Sequence, residues 1–208
     1  MIAIIDYGMG NVTSVRNAFA YLGFKTVLTH EPEVLNSCPA LVLPGVGAFG
    51  SAAEVLQRKG LFDYLHARRE KGSFLLGICL GLQLFFDRSE EDPAGRGLTY
   101  FPDKLKRFPP GLKVPHMGWN RVLAEPDPLF EGIPQGSHFY FAHSFYAPLL
   151  TAEDYLLARC RYGVDFAAAV KQGNAYGVQF HPEKSGEMGL RLLLNFGRMV
   201  ENADYTGN

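Results

Sequence analysis

The sequence predicts an α/β protein, a mostly parallel central sheet flanked by helices with an additional antiparallel β region, built as one domain over residues 1–208. Three observations carry this expectation. Up to Phe86, short apolar runs of strand length alternate with segments whose apolar residues recur at helical spacing, the pattern of a parallel sheet covered on both faces. From Thr99 onward, prolines and glycines punctuate short aromatic runs, which favours hairpins over helices. A chain of 208 residues can bury about 70% of its unfolded surface around one core and leaves little room for a second large domain.

In chain order, Ile2 to Ile5 reads as the first strand. A glycine loop from Asp6 to Asn11 follows, then a helix from Val12 to Leu22 stopped at Gly23. Asn11 or Thr13 can cap that helix, and the loop lacks the third glycine of a dinucleotide fingerprint. Lys25 to Leu28 and Ala40 to Leu43 read as strands, the latter running into Pro44-Gly45-Val46-Gly47. That loop is either a plain turn or a place where main-chain N–H groups meet a developing oxyanion. Ala52 to Arg58 and Leu61 to Lys71 read as helices on either side of Gly60. Asp87 to Arg96 reads as a polar loop. Tyr155 to Tyr162, Phe166 to Lys171 and Ala175 to Phe180 read as strands, and Gly186 to about Val200 as a closing helix.

The totals exclude several function classes. With 47% hydrophobic and 20% charged residues and a net charge of -1, the chain carries no basic excess to neutralise phosphates, so no nucleic-acid partner is expected. The start has no basic segment before its short apolar run, and nowhere do 18 apolar residues follow one another, so neither a signal peptide nor a membrane span is expected. The expected location is cytoplasmic. Cys38, Cys79 and Cys160 are odd in number and widely spaced, against a disulfide framework. No metal spacing joins His30, His66, His116, His138, His143 and His181, so no metal is expected, and no cofactor.

The chemistry concentrates between Phe74 and Phe86. Phe74 to Ile78 has the length of a buried strand, helical spacing begins at Leu80, and Cys79 falls where the period changes. Gly77 and Gly81 flank it at two residues on either side, the Gly-x-Cys-x-Gly form of a nucleophile elbow, in which a strained turn lifts the nucleophile above the sheet. A thiol at a helix N-terminus meets unpaired N–H groups and the positive dipole end, both of which favour the attacking thiolate. Further on stands His181-Pro182-Glu183. In an extended segment residues two apart point the same way, so Glu183 can orient the His181 imidazole.

Gly77-Ile78-Cys79-Leu80-Gly81-Leu82-Gln83 together with His181-Pro182-Glu183 resembles the triad-type, or class I, glutamine amidotransferases, and the resemblance spans nearly the whole chain. Asp6 to Asn11, Pro44 to Gly47, Pro115 to Asn120 and His181 to Ser185 resemble the branch of that family which serves imidazole glycerol phosphate synthesis. The resemblance implies Cys79 as nucleophile, His181 as general base and then acid, and Glu183 as the group orienting it. It implies oxyanion donors at the N–H of Leu80 and on the Pro44 to Gly47 loop at Val46, misaligned until a partner binds. Glutamine would be held by Gly47, Gln83 and the loop of His143, Ser144 and Phe145. Relatives often carry tyrosine where Phe145 stands, which removes any hydroxyl contact there. The implied partner is a (βα)₈-barrel cyclase that receives the ammonia, docking on the active-site face at Asn11, Trp119 and Lys184.

Three rival readings remain. A glutaminase feeding pyridoxal phosphate, anthranilate or aminodeoxychorismate synthesis leaves the His116 to Asn120 stretch and Lys184 unused. A cysteine peptidase or thioesterase leaves Gln83 and the Pro44 loop without roles. A non-enzymatic interaction module leaves three filled triad positions unexplained.

Overall fold

The computed structural model describes residues 1–149 and 155–206; the expected domain of 1–208 thus extends over a few positions outside the described residues. The elements run β1 (Ile2–Ile5), α1 (Val12–Tyr21), β2 (Thr26–Thr29), α2 (Pro32–Asn36), β3 (Ala40–Gly45), α3 (Phe49–Arg58), α4 (Leu61–Glu70), β4 (Phe74–Cys79) and α5 (Leu80–Gln83). Then follow β5 (Phe86–Ser89), β6 (Phe101–Arg107), β7 (His116–Ala124), β8 (His138–His143), β9 (Phe145–Tyr146), β10 (Leu156–Tyr162), β11 (Val164–Gln172), β12 (Ala175–Val178) and α6 (Gly186–Thr206).

One nine-stranded sheet runs in the order β2-β1-β3-β4-β12-β11-β10-β7-β8. Its first five strands are parallel, as the strand and helix alternation predicts. Beyond β12 the pairing becomes antiparallel, so the expected β region is continuous with the parallel sheet. A smaller sheet, β5-β6-β9, lies apart from it.

The parallel strands read as unbroken apolar runs because both faces are covered. Ile2, Ile4, Val42, Leu76, Ile78 and Val178 turn to one face, where Phe19 of α1 and Leu192, Leu193 and Phe196 of α6 pack on them. The alternate residues Ala3, Ile5, Leu41, Leu43 and Leu75 turn to the other, against Leu56 of α3 and Leu61 and Leu65 of α4. Side chains alternate along a strand, so a one-residue slip would exchange the two cores.

Several local expectations are corrected. The helix after Cys79 is one turn long, and Phe86–Ser89 is a strand rather than the start of a loop. Phe86 and Ser89 are buried there while Asp87 and Arg88 are half-buried, so the strand carries polar residues without the alternation that would have marked it. α2 went unforeseen because five residues starting at a proline show no helical period. β12 ends at Val178, two residues short of the expected boundary, while α6 continues to Thr206.

Candidate active site

β4 lies between β3 and β12, and the carboxyl ends of all three meet, at the edge where parallel sheets place their sites. Cys79 ends β4 with φ 55 and ψ -106, a conformation rare for a residue with a side chain and costing roughly 1–3 kcal/mol. The fold imposes it. A Cβ on Gly77 would stand 2.7 Å from the main chain of Gly81, and one on Gly81 would stand 1.7 Å from the Leu43 carbonyl oxygen, so strand and helix can pass this closely only with glycine at both places. Since α5 spans only Leu80–Gln83, its macrodipole is small, and the expected dipole support for a thiolate reduces to the nearby first-turn N–H groups.

His181 and Glu183 are brought together differently from the extended geometry expected. Pro182–Lys184 is a 3₁₀ turn, because Pro182 supplies the fixed φ of its first position. The turn folds Glu183 back so that His181 Nδ1–H donates to its Oε1 at 2.8 Å, with both side chains buried. Ser185 locks the turn, donating from Oγ to the His181 carbonyl at 2.6 Å and accepting from the Tyr140 N–H at 2.9 Å. Burial favours neutral His181, but hydrogen bonds with Cys79 and Glu183 outweigh it and push the imidazolium up to about 10. The site therefore keeps a proton on His181, next to the sulfur, at neutral pH.

The loop after β3 starts beside the nucleophile, because Gly45 and Cys79 are register partners. Gly45 is confined: a Cβ on it would stand 2.7 Å from the Tyr7 hydroxyl and 2.8 Å from Leu80 Cβ. Val46 and Gly47 are exposed, and Gly47 has φ 109, which suits glycine. Leu80 is the first residue of α5, so its N–H has no acceptor within that helix.

Gln83 is buried and donates through Nε2 to the Phe145 carbonyl at 3.1 Å and to Gln179 Oε1 at 3.2 Å. Gln179 in turn directs Nε2 at Cys79 Sγ, 3.8 Å away. Sequence reasoning missed Gln179; the available signal was a single amide in the apolar run Ala175 to Phe180. The His143 imidazole faces the core, where it hydrogen-bonds the Phe145 carbonyl and His116, so that side chain is turned away from the nucleophile loop, while Ser144 and Phe145 are half-buried.

Of the surface candidates, Asn11 is the N-cap of α1, accepting from the Ser14 N–H at 3.3 Å. Trp119 is 56% exposed and meets Tyr140 edge-on at 6.2 Å. Lys184 Nζ lies 5.9 Å from the same Tyr140 ring, so Trp119 and Lys184 flank one aromatic beside the triad turn. Cys38 and Cys160 are buried and unpaired, and burial pushes the Cys160 thiol up to about 12. Among the described residues, no group of three or more histidine, cysteine or acidic side chains is gathered as a metal ion requires. Nor is any described helix long and apolar enough to cross a membrane.

Comparison with known proteins bears on this geometry. The sequence family described as "Glutamine amidotransferase class-I" matches residues 3–199. A relative from Moorella thermoacetica, named "Imidazole glycerol phosphate synthase subunit HisH", is 49% identical over 100% of this chain and 99% of its own length. One of the same name from Methanothermobacter thermautotrophicus is 48% identical over 96% of this chain and 99% of its own. A solved structure titled "Crystal structure of glutamine amidotransferase" superposes with TM-score 0.76 at 22% identity, covering 96% of this chain and 98% of the other. "Structure of PurLQS from Thermotoga maritima" superposes with TM-score 0.75 at 19% identity, covering 96% and 98%. At those identities the structures speak for the fold.

Proposed function

The chain belongs to the class I glutamine amidotransferases, and from that premise we propose that it is the glutaminase subunit of an imidazole glycerol phosphate synthase, acting in histidine biosynthesis in the cytoplasm. The observation that carries the mechanism is the buried His181–Glu183 pair beside a strained Cys79.

Cys79 attacks the side-chain carbonyl of glutamine as thiolate, forming a C–S bond and a tetrahedral oxyanion. The N–H groups of Leu80 and Val46 receive that oxyanion. His181 gives its proton to the departing nitrogen, the C–N bond breaks, and ammonia leaves a glutamyl thioester. Neutral His181 then takes a proton from water, the hydroxyl attacks the thioester, and the C–S bond breaks to release glutamate with the thiolate restored. Glu183 keeps the imidazole oriented and stabilises its charged form throughout. Gly47, Gln83 and the main chain of His143, Ser144 and Phe145 hold the substrate.

Ammonia released to water at neutral pH takes up a proton and loses the lone pair needed for transfer, so a channelling partner follows from the chemistry. We assign that role to a (βα)₈-barrel cyclase subunit, docked over Asn11, Trp119 and Lys184. Two relatives bearing the synthase name over full length support this assignment, as does the exposed aromatic and cationic cluster beside the triad. No cofactor enters any step.

The test is glutamate release from glutamine by the purified chain, alone and with the barrel cyclase and its nucleotide ligand. Near-silence alone and strong activation in the complex is the expected result. Cys79→Ala abolishes glutamine use while the complex still turns over added ammonium. Equal activity with and without the partner points instead to a free-standing hydrolase.

A further inference from the structure

A file of hydrogen-bonded side chains runs from half-exposed Asn120 through the core toward the nucleophile, and each donor in it can be assigned. The Phe145 carbonyl can only accept, so His143 donates to it through Nδ1–H at 2.7 Å. Burial pushes His143 down to about 3, so the ring is neutral near pH 7 and its Nε2 accepts. His116 Nδ1, 3.0 Å from that nitrogen, must then carry a hydrogen. His116 is likewise held neutral, pushed down to about 4 by burial, so its own Nε2 accepts from Asn120 Nδ2 at 3.2 Å.

The orientation of Asn120 is fixed independently. Its Oδ1 accepts the Arg121 N–H at 2.8 Å, and its Nδ2 also donates to the Arg161 carbonyl at 2.9 Å. Both ends of the file demand the same polarity, with each histidine in its Nδ1–H form. The rings have little freedom to turn: His116 is stacked between Phe141 at 4.8 Å and Tyr162 at 4.1 Å.

From the opposite side Gln83 donates to the same Phe145 carbonyl and, with its other hydrogen, to Gln179. Its Oε1 is then the atom left to address a ligand. Gln179, accepting at Oε1, is obliged to aim its N–H at the Cys79 sulfur.

We propose that Asn120, His116 and His143 are positioning residues for the glutaminase site: they hold the Phe145 carbonyl in place, and that carbonyl sets the amide orientations of Gln83 and Gln179, presenting an acceptor to the substrate and a donor to Cys79. This rests on the glutaminase reading above. None of the three side chains has to touch glutamine; they act through Phe145.

The test uses the full chain in complex with the cyclase. His116→Phe keeps a stacked ring and removes both nitrogens. Losing one neutral hydrogen bond's worth of ordering raises KM for glutamine about tenfold, with kcat within about threefold and ammonium-dependent turnover unchanged. An unchanged KM overturns the proposal, as does a parallel fall in ammonium-dependent turnover, which signals general loss of packing. Ring nitrogen chemical shifts of the unaltered chain need no variant: His116 and His143 both in the Nδ1–H form is the expected result, and either ring in the Nε2–H form overturns the file. If the unaltered complex releases no glutamate from glutamine, the glutaminase reading falls, while the ring nitrogens still decide whether the file exists.

Discussion

Gly81 passes so close beneath β3 that a Cβ on it would stand 1.7 Å from the carbonyl oxygen of Leu43. That oxygen belongs to a strand paired with β4 in register, so it cannot retreat without disturbing the sheet that carries Cys79. Gly81→Ala should therefore cost at least about 3 kcal/mol, in the range of severe overpacking. Gly23→Ala is the control. Gly23 has φ 87 but open space around its Cβ direction, so only backbone strain of about 1 kcal/mol applies. Urea denaturation of both variants checks the difference, and similar losses would mean that crowding at the elbow is relieved by local movement.

Glu183→Gln keeps the size of the side chain and removes its charge. The carboxylate contributes to holding His181 up to about 10, so the variant should lower the His181 pKa. Glutamine turnover in the complex should fall by about 10²–10⁴-fold, the scale seen when the orienting acid of a triad is neutralised. Nitrogen chemical shifts of His181 against pH, with single-turnover kinetics, check both effects. A lowered pKa with unchanged turnover would assign Glu183 to folding alone.

The parallel half of the fold was legible because fully covered strands leave continuous apolar runs between helical periods, and Gly-x-Cys-x-Gly marks the elbow in the sequence itself. His181 and Glu183 were legible as a pair, yet the geometry joining them was not: the choice between an extended segment and a 3₁₀ turn depends on Ser185 binding the His181 and Tyr140 main chain, a contact between distant parts of the sequence. The partners of Gln179 and His116 were hidden for the same reason. A single amide in the apolar run around Gln179 announces burial, but its partner Gln83 is 96 positions away, and His143 is 27 positions from His116. The shortness of α5 escaped notice because Leu82, Leu84 and Phe85 satisfy helical spacing and strand burial alike.

Two buried neutral histidines make the fold acid-sensitive. His116 and His143 have folded pKa values of about 4 and about 3, below the unfolded value near 6.5. As pH falls below 6.5 the unfolded chain takes up protons that the folded chain refuses, so stability falls with falling pH. Over two pH units the two groups remove up to about 5 kcal/mol. The other titratable groups facing His143 are His116 and His181, and positive charge on either opposes its protonation further. His181 has the opposite sign: raised to about 10, its contribution is full below pH 6.5 and is lost as pH climbs toward 10. Urea midpoints at pH 4.5, 6.5 and 9 should be highest at 6.5. His116→Phe should lose about half of the acid limb, and an acid limb unchanged in that variant would trace it to carboxylates instead.

Lys184 offers the sharpest test of where the partner sits. The residue is exposed, its Nζ lies 5.9 Å from the Tyr140 ring, and it follows Glu183 directly in the triad turn. Because Pro182 and Ser185 hold that turn, a change at Lys184 should leave the triad geometry alone. Lys184→Glu should then keep the melting temperature within about 2 °C, as expected for an exposed substitution. It should weaken the complex at least about tenfold if, as the proposed docking requires, a carboxylate of the cyclase faces Lys184, because the substitution then sets like charges against each other. Titrating the cyclase against glutamine turnover separates the two effects: the midpoint should move while the plateau stays. A shifted plateau with an unmoved midpoint would make Lys184 part of the activation step rather than of docking, and an unchanged curve would put the docking face away from the triad turn.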